Sequence, residues 1–152
     1  MDQELEKKLI EIVDKNAIRD VLMQYCMGAD QCDGPMVHDA FHSDAHCKHD
    51  PSFDGPASEF VDMMLGFLSD TAVFRHNITT VSINLTGENE AQATSYCIVA
   101  GENMENKNTI DLGGYRYEDL LEKRDGKWAI VKRLLEQDWE VPGLEGKVHQ
   151  SI

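Results

Sequence analysis

Asp30 and His76 are the two residues whose pairing could do proton chemistry in this sequence. Asp30 closes the apolar stretch of Tyr25, Cys26 and Ala29, where a carboxylate is either solvated at the end of an element or paired. His76 stands in Phe74-Arg75-His76-Asn77-Ile78 and shares a strand face with Phe74, Ile78 and Thr80, the more apolar face at its start. Alone, an inward histidine is equally well read as a satisfied core residue. Held by a carboxylate, it has a fixed tautomer and a stabilised imidazolium, which makes a general base near neutral pH. Arg133 lies in Trp128-Ala129-Ile130-Val131-Lys132-Arg133-Leu134-Leu135, and strict alternation puts it with Ala129, Val131 and Leu135 on an inner face. A guanidinium there can bind an anion or a leaving group, or it can hold a buried carboxylate.

A second concentration of chemistry is the histidine cluster His38, His42, His46 and His49. His38 and His42 are four apart on an expected short helix and could offer two metal ligands from one face, with Asp39, Asp44, Cys47 and Asp50 as further donors. No H-e-x-x-h template accompanies them, so they read as solvated surface groups, and no metal or other cofactor is expected. Neither a nucleophile elbow, a P-loop nor a dinucleotide fingerprint is present. Gly113-Gly114 precedes a strand and cannot set a phosphate on a helix N-terminus.

These residues need elements to position them. Apolar residues from Glu4 to about Ala29 recur at three- and four-residue steps, which predicts an amphipathic helix with a break near Asp14 to Asn16. Asp33-Gly34-Pro35 opens a short helix through Phe41, and a third helix runs from about Gly55-Pro56 through Phe60, Met63, Met64, Phe67 and Leu68. Ala45 to Ser52 is a candidate short strand. Four β-rich segments follow, about 72–85, 91–101, 109–123 and 128–139, separated by turn-like stretches that include Asp125-Gly126. The expected class is α+β: three N-terminal helices packed on one face of a curved, mostly antiparallel sheet, the cone enclosing a pocket. The chain reads as a single domain over 1–152, its core about 16–139, with a patternless tail over 140–152.

Composition bounds the partners. The 152 residues carry 14 Lys plus Arg against 28 Asp plus Glu, a formal charge of −14 that would be repelled by nucleic acid or an anionic membrane. Hydrophobic residues at 41% exclude a mainly disordered acidic chain. No apolar run approaches the roughly 18 residues that span a bilayer, and the first residues lack a signal-peptide pattern, so a cytoplasmic location is expected. The four cysteines contain no C-x-x-C pair and are expected to be free thiols.

The order of elements and several short motifs resemble the SnoaL-like group of the NTF2-like superfamily. The motifs are Ala17-Ile18-Arg19-Asp20 with Tyr25 and Asp30, then Asp33, Phe41 and Asp44-Ala45, with His76 opening a strand; Gly114-Tyr115-Arg116-Tyr117-Glu118-Asp119, Arg124-Asp125-Gly126-Lys127-Trp128 and Arg133 complete the set. The resemblance is strongest to the hexachlorocyclohexane dehydrochlorinases and more distant to the scytalone dehydratases. It implies that Asp30 orients His76, that His76 is the base, and that Arg133 assists departure of the leaving group. The dehydrochlorinases have a lysine five residues before the aspartate; Tyr25 stands there in this chain and suits a dehydratase better, because a phenol is a poorer partner for chloride than an ammonium. The implied function is a cofactor-free lyase or isomerase acting on a small, largely apolar cyclic or hydroxylated molecule, with catalytic residues Asp30, His76, Tyr25 and Arg133. Met63, Met64, Phe67, Ile98 and Leu120 are expected to line its pocket. The alternative is a small-molecule-binding protein without turnover. The resemblance also implies a homodimer or homotrimer joined through the outer sheet face.

Overall fold

A capping carboxylate and a long apolar stripe account for the first element, α1, which spans Gln3–Gln31. The computed structural model describes residues 2–69, 73–103 and 105–146; Ala72, expected to open a strand, and the tail from 147 onward lie outside the described residues. Asp2 accepts from the Glu4 amide at 3.1 Å, satisfying one of the helix's otherwise orphaned donors. The buried stripe is Ile18, Val21, Leu22, Tyr25, Cys26 and Ala29. The expected break near Asp14 does not occur. Asp14 instead anchors the helix, accepting from Lys123 Nζ at 2.9 Å and from Trp128 Nε1 at 2.8 Å.

Burial would raise the Asp14 carboxyl, but the bonds from Trp128 and Lys123 outweigh it and hold the group below its ordinary value. Its contribution to stability is therefore complete above the unfolded carboxyl's value of about 3.9 and is lost as pH falls through the lower folded value. In urea unfolding between pH 7 and pH 2.5, Asp14→Asn is expected to be less stable than the parent at the upper end and to converge on it at the lower. A constant difference across that range would show that the anchor is not electrostatic.

Helix α2 covers Gly34–His38, with Asp33 accepting from the Met36 amide at 3.0 Å and a proline in its first turn. It ends before Phe41, which opens a strand instead. Gly28 of α1 lies so close to α2 that a Cβ there would sit 2.7 Å from Val37 Cγ2. Strands β1 (Phe41–His49) and β2 (Phe53–Pro56) precede α3 (Ala57–Leu68), so the short strand begins earlier than expected and β2 is an addition. Strands β3 (Phe74–Leu85), β4 (Glu90–Glu102), β5 (Thr109–Arg124) and β6 (Lys127–Glu145) follow. Asp125 and Gly126 both have positive φ, 51° and 79°, as a two-residue hairpin requires.

The six strands form one sheet in the order β2-β1-β6-β5-β4-β3. Every pairing is antiparallel except β1 with β6, which run parallel with Cys47 opposite Arg133. Part of the supposed tail is strand: Val141 pairs with Leu112 and Leu144 with Ile110. Irregularities between Ile78 and Thr80, Gly114 and Tyr115, and Leu120 and Leu121 bend the sheet around the helices. The core lies between the stripe of α1, the buried residues Phe60, Val61 and Leu68 of α3, and the face bearing Ala91, Ala93, Cys97, Tyr117, Leu121 and Leu135. This is the α+β architecture expected, helices on one face of a mostly antiparallel sheet. Among the described residues no helix is long and apolar enough to cross a membrane.

Candidate active site

Asp30 lies in the last turn of α1 and His76 near the start of β3. Their contact closes one corner of the cone. His76 Nδ1 is 2.6 Å from Asp30 Oδ1, and the His76 backbone amide also donates to that carboxylate, at 2.9 Å to Oδ1 and 3.1 Å to Oδ2. A carboxylate only accepts, so Nδ1 carries the proton in this contact, which in a neutral ring leaves the lone pair on Nε2. The side chains are 6% and 11% exposed, for His76 and Asp30 respectively, so water competes little for this bond. The remaining exposure of His76 opens on a cavity of about 390 Å³, a size suited to a small molecule.

Tyr25 sits about one and a half turns of α1 before Asp30, its ring edge-on to His76 at 6.3 Å between centroids. Tyr25 lines the cavity, and its hydroxyl donates at 3.2 Å to Sδ of Met64, another lining residue. A thioether is a weak acceptor, so an incoming oxygen can take over this bond at small cost. Burial pushes the phenol far above its ordinary value, against the pull of the Arg133 charge, so Tyr25 is a donor and not a base.

Arg133 faces the core, as alternation with Leu135 predicts, while the irregularity between Leu120 and Leu121 brings Ile130 to that face ahead of it: Ile130 lies opposite Leu121, and Arg133 opposite Asp119. There it donates from Nε and Nη2 to the two Asp119 oxygens at 2.7 and 2.8 Å, with no exposure of its own. The guanidinium carbon lies 4.2 Å from the Tyr25 ring centre and 4.4 Å from that of Tyr117. Arg133 is not part of the cavity wall. Of the two sequence readings, anion binder or holder of a buried carboxylate, the structure has the second, with the two tyrosines stacked over the cation.

Met63, Met64 and Phe67 of α3 line the cavity, with Met63 and Phe67 at its exposed rim. Ile98 and Leu120 do not. On β4 the buried residues up to Val99 are Ala91, Ala93, Ser95, Cys97 and Val99, and on β5 they include Tyr117, Asp119 and Leu121. The period of two therefore turns Ile98 and Leu120 outward, where they are 37% and 41% exposed. The alternation from Ala91 onward was the available signal, and it selects Val99. Thr80 leaves the His76 face for a similar reason, because the irregularity after Ile78 moves Val81 and Ile83 into the inward positions. Further lining residues that sequence reasoning passed over are Phe74, Val99, Tyr115, Tyr117, Leu135 and His49.

The histidine cluster is dispersed. His38 ends α2 and meets Asp62 Oδ1 at 2.9 Å; His42, already in β1, meets the Glu122 carbonyl at 2.9 Å; His46 meets Asp54 Oδ1 at 3.0 Å. A strand, not a helix, carries His42, so it shares no helical face with His38. Among the described residues no three His, Cys, Asp or Glu side chains converge as metal ligands would. The four cysteines are free, as expected.

Residues 11–134 match the profile of the SnoaL-like domain. No curated protein matches the sequence. Solved structures of similar fold include a putative scytalone dehydratase from Novosphingobium aromaticivorans, 16% identical, with a TM-score of 0.79 over 95% of this chain and 99% of that one. A hexachlorocyclohexane dehydrochlorinase of type 3 from Novosphingobium barchaimii is likewise 16% identical, with a TM-score of 0.83 over 95% and 99%. A protein of unknown function with a cystatin-like fold, from Nostoc punctiforme, is 25% identical with a TM-score of 0.68 over 87% and 94%.

Proposed function

The chain belongs to the SnoaL-like family, and from that premise we propose that it is a cofactor-free lyase or isomerase of dehydratase type. The observation that supports this reading is the Asp30–His76 contact at 2.6 Å beside an apolar cavity that His76 also lines; in the proposed mechanism Nε2 is then free to act as the base. In the proposed step Nε2 takes the proton α to a carbonyl, and Asp30 balances the charge of the imidazolium. Tyr25 exchanges its bond to Met64 for one to the substrate oxygen on which negative charge grows. If a hydroxyl stands on the β-carbon, the C–O bond breaks as the double bond forms, and the imidazolium returns the proton to the departing hydroxide as water. If none does, return of the proton to another carbon is isomerisation. Arg133 acts on this chemistry only through Tyr25, whose ring it holds.

The substrate class is a small, largely apolar ring bearing oxygen. The likeness to the putative scytalone dehydratase and the dehydrochlorinase supports an elimination, and Tyr25 favours a hydroxyl over a chloride as the leaving group. Two probes test the reading: 3-hydroxy-1-indanone, whose loss of water gives the absorbing 1-indenone, and 1-indanone in D2O, whose C2 protons exchange when a base removes them. The expected result is protein-dependent indenone formation and C2 exchange well above the buffer rate. Ketone binding with exchange at the buffer rate would favour a binding protein without turnover. The proposed assembly into a dimer or trimer, and the proposed cytoplasmic location, are independent of this test.

A further inference from the structure

His49, half-buried, lines the same cavity as His76. It comes from β1, whereas His76 comes from β3, and strands β6, β5 and β4 lie between these two in the sheet. The two imidazoles therefore enter the same cavity from opposite flanks. Beside His49, at 6.4 Å between ring centres, is Tyr115 of β5. The tyrosine ring folds over Gly113, where a Cβ would lie 2.6 Å from Tyr115 Cε2, so the glycine makes the room that turns the ring toward the cavity. Among the described residues neither the His49 ring nitrogens nor the Tyr115 hydroxyl has a hydrogen-bond partner. The polar tips of the Asp30–His76 side, in contrast, are all engaged except for the Nε2 that would act as base.

We infer that His49 and Tyr115 form a second polar station, which receives a neutral oxygen function of the substrate at the end of the cavity away from His76. This rests on reading the cavity as a small-molecule site, and it narrows the substrate to a neutral ring carrying oxygen at both ends. Burial pushes the His49 imidazole below the ordinary histidine value against the opposing charge of Asp50, so near neutral pH it offers one donor and one acceptor. Tyr115 is kept as a phenol by burial and by Glu140. The charges nearby disfavour an anion at this end: the adjoining cavity, which shares Tyr115, is lined by Glu102, Asp111 and Glu140. A halocarbon lacks the groups that would satisfy His49 and Tyr115, whereas a hydroxyl supplies both a donor and an acceptor.

Calorimetric titration of the full-length protein with 1-indanone and with 5-hydroxy-1-indanone tests this, since the second ketone differs only by a hydroxyl at the end remote from the carbonyl. The parent is expected to bind the hydroxylated ketone about tenfold more tightly. His49→Leu and Tyr115→Phe are each expected to bring the ratio to within about threefold of one, and His76→Gln to leave it in place. The second substitution removes a single oxygen and guards against a folding defect in the first. A parent ratio near one, or a ratio lost in His76→Gln and kept in the other two, overturns the inference. Failure of either ketone to bind overturns it as well. A parent ratio near one with rapid C2 exchange would leave the base standing and remove the station. A His49-dependent ratio without exchange would do the reverse.

Discussion

With His76 replaced by alanine, C2 exchange of 1-indanone is expected to slow by about 10²–10⁴-fold, the range that a positioned general base contributes. In the proposed mechanism His76 Nε2 is the base, because its partner atom, Nδ1, is already committed to Asp30. Asp30→Asn is expected to lose rate for a different reason. An amide can donate to Nδ1, which moves the ring proton to Nε2 and removes the lone pair from the cavity, and it cannot balance an imidazolium. Asp30 also accepts from the His76 backbone amide, so that substitution should be paired with an unfolding measurement. In both variants the affinity for 1-indanone should stay within about threefold, because one polar contact at the cavity edge contributes little to the binding of an apolar ring. A rate loss below threefold in His76→Ala would end the assignment of His76 as the base.

The largest effect on stability is expected at Asp119. Its carboxylate receives two hydrogen bonds from Arg133, and the side chains of the pair are 0% and 1% exposed, respectively. Removing one member of such a pair leaves the other charge buried without compensation, so Asp119→Ala should cost about 3–5 kcal/mol in urea unfolding. The stack of Tyr25, Arg133 and Tyr117 should loosen with it, and C2 exchange should fall even though neither residue touches the cavity. The double variant Asp119→Leu with Arg133→Met removes both charges and fills the same space, and it should recover most of the loss. If the single variant costs under 1 kcal/mol, the guanidinium has another partner; if the double variant is as unstable as the single one, packing and not charge holds this corner.

Much of this arrangement was legible along the chain. Helix periodicity marked α1 and α3, and alternation marked the four long strands, because burial on one face writes itself into every third or every second residue. Asp125-Gly126 announced the last hairpin through the positive φ that those residues tolerate. Asp30 and His76 could be named because a carboxylate and an imidazole at the ends of apolar faces need a partner. Ile98 was misjudged by one position, although the alternation of its own strand points to Val99.

Other features could not be read locally. Alternation placed Arg133 inward, but the acceptor that takes up its guanidinium lies fourteen residues away on β5. His49 looked like a member of a polar run, yet the parallel pairing of β1 with β6 and the curvature of the sheet turn it into the cavity. Residue types and their periods set the elements and named the dyad, because burial and hydrogen bonding act along each segment. Strand order and pairing irregularities then sorted the remaining polar groups into core, cavity and surface, because those depend on what lies across the sheet.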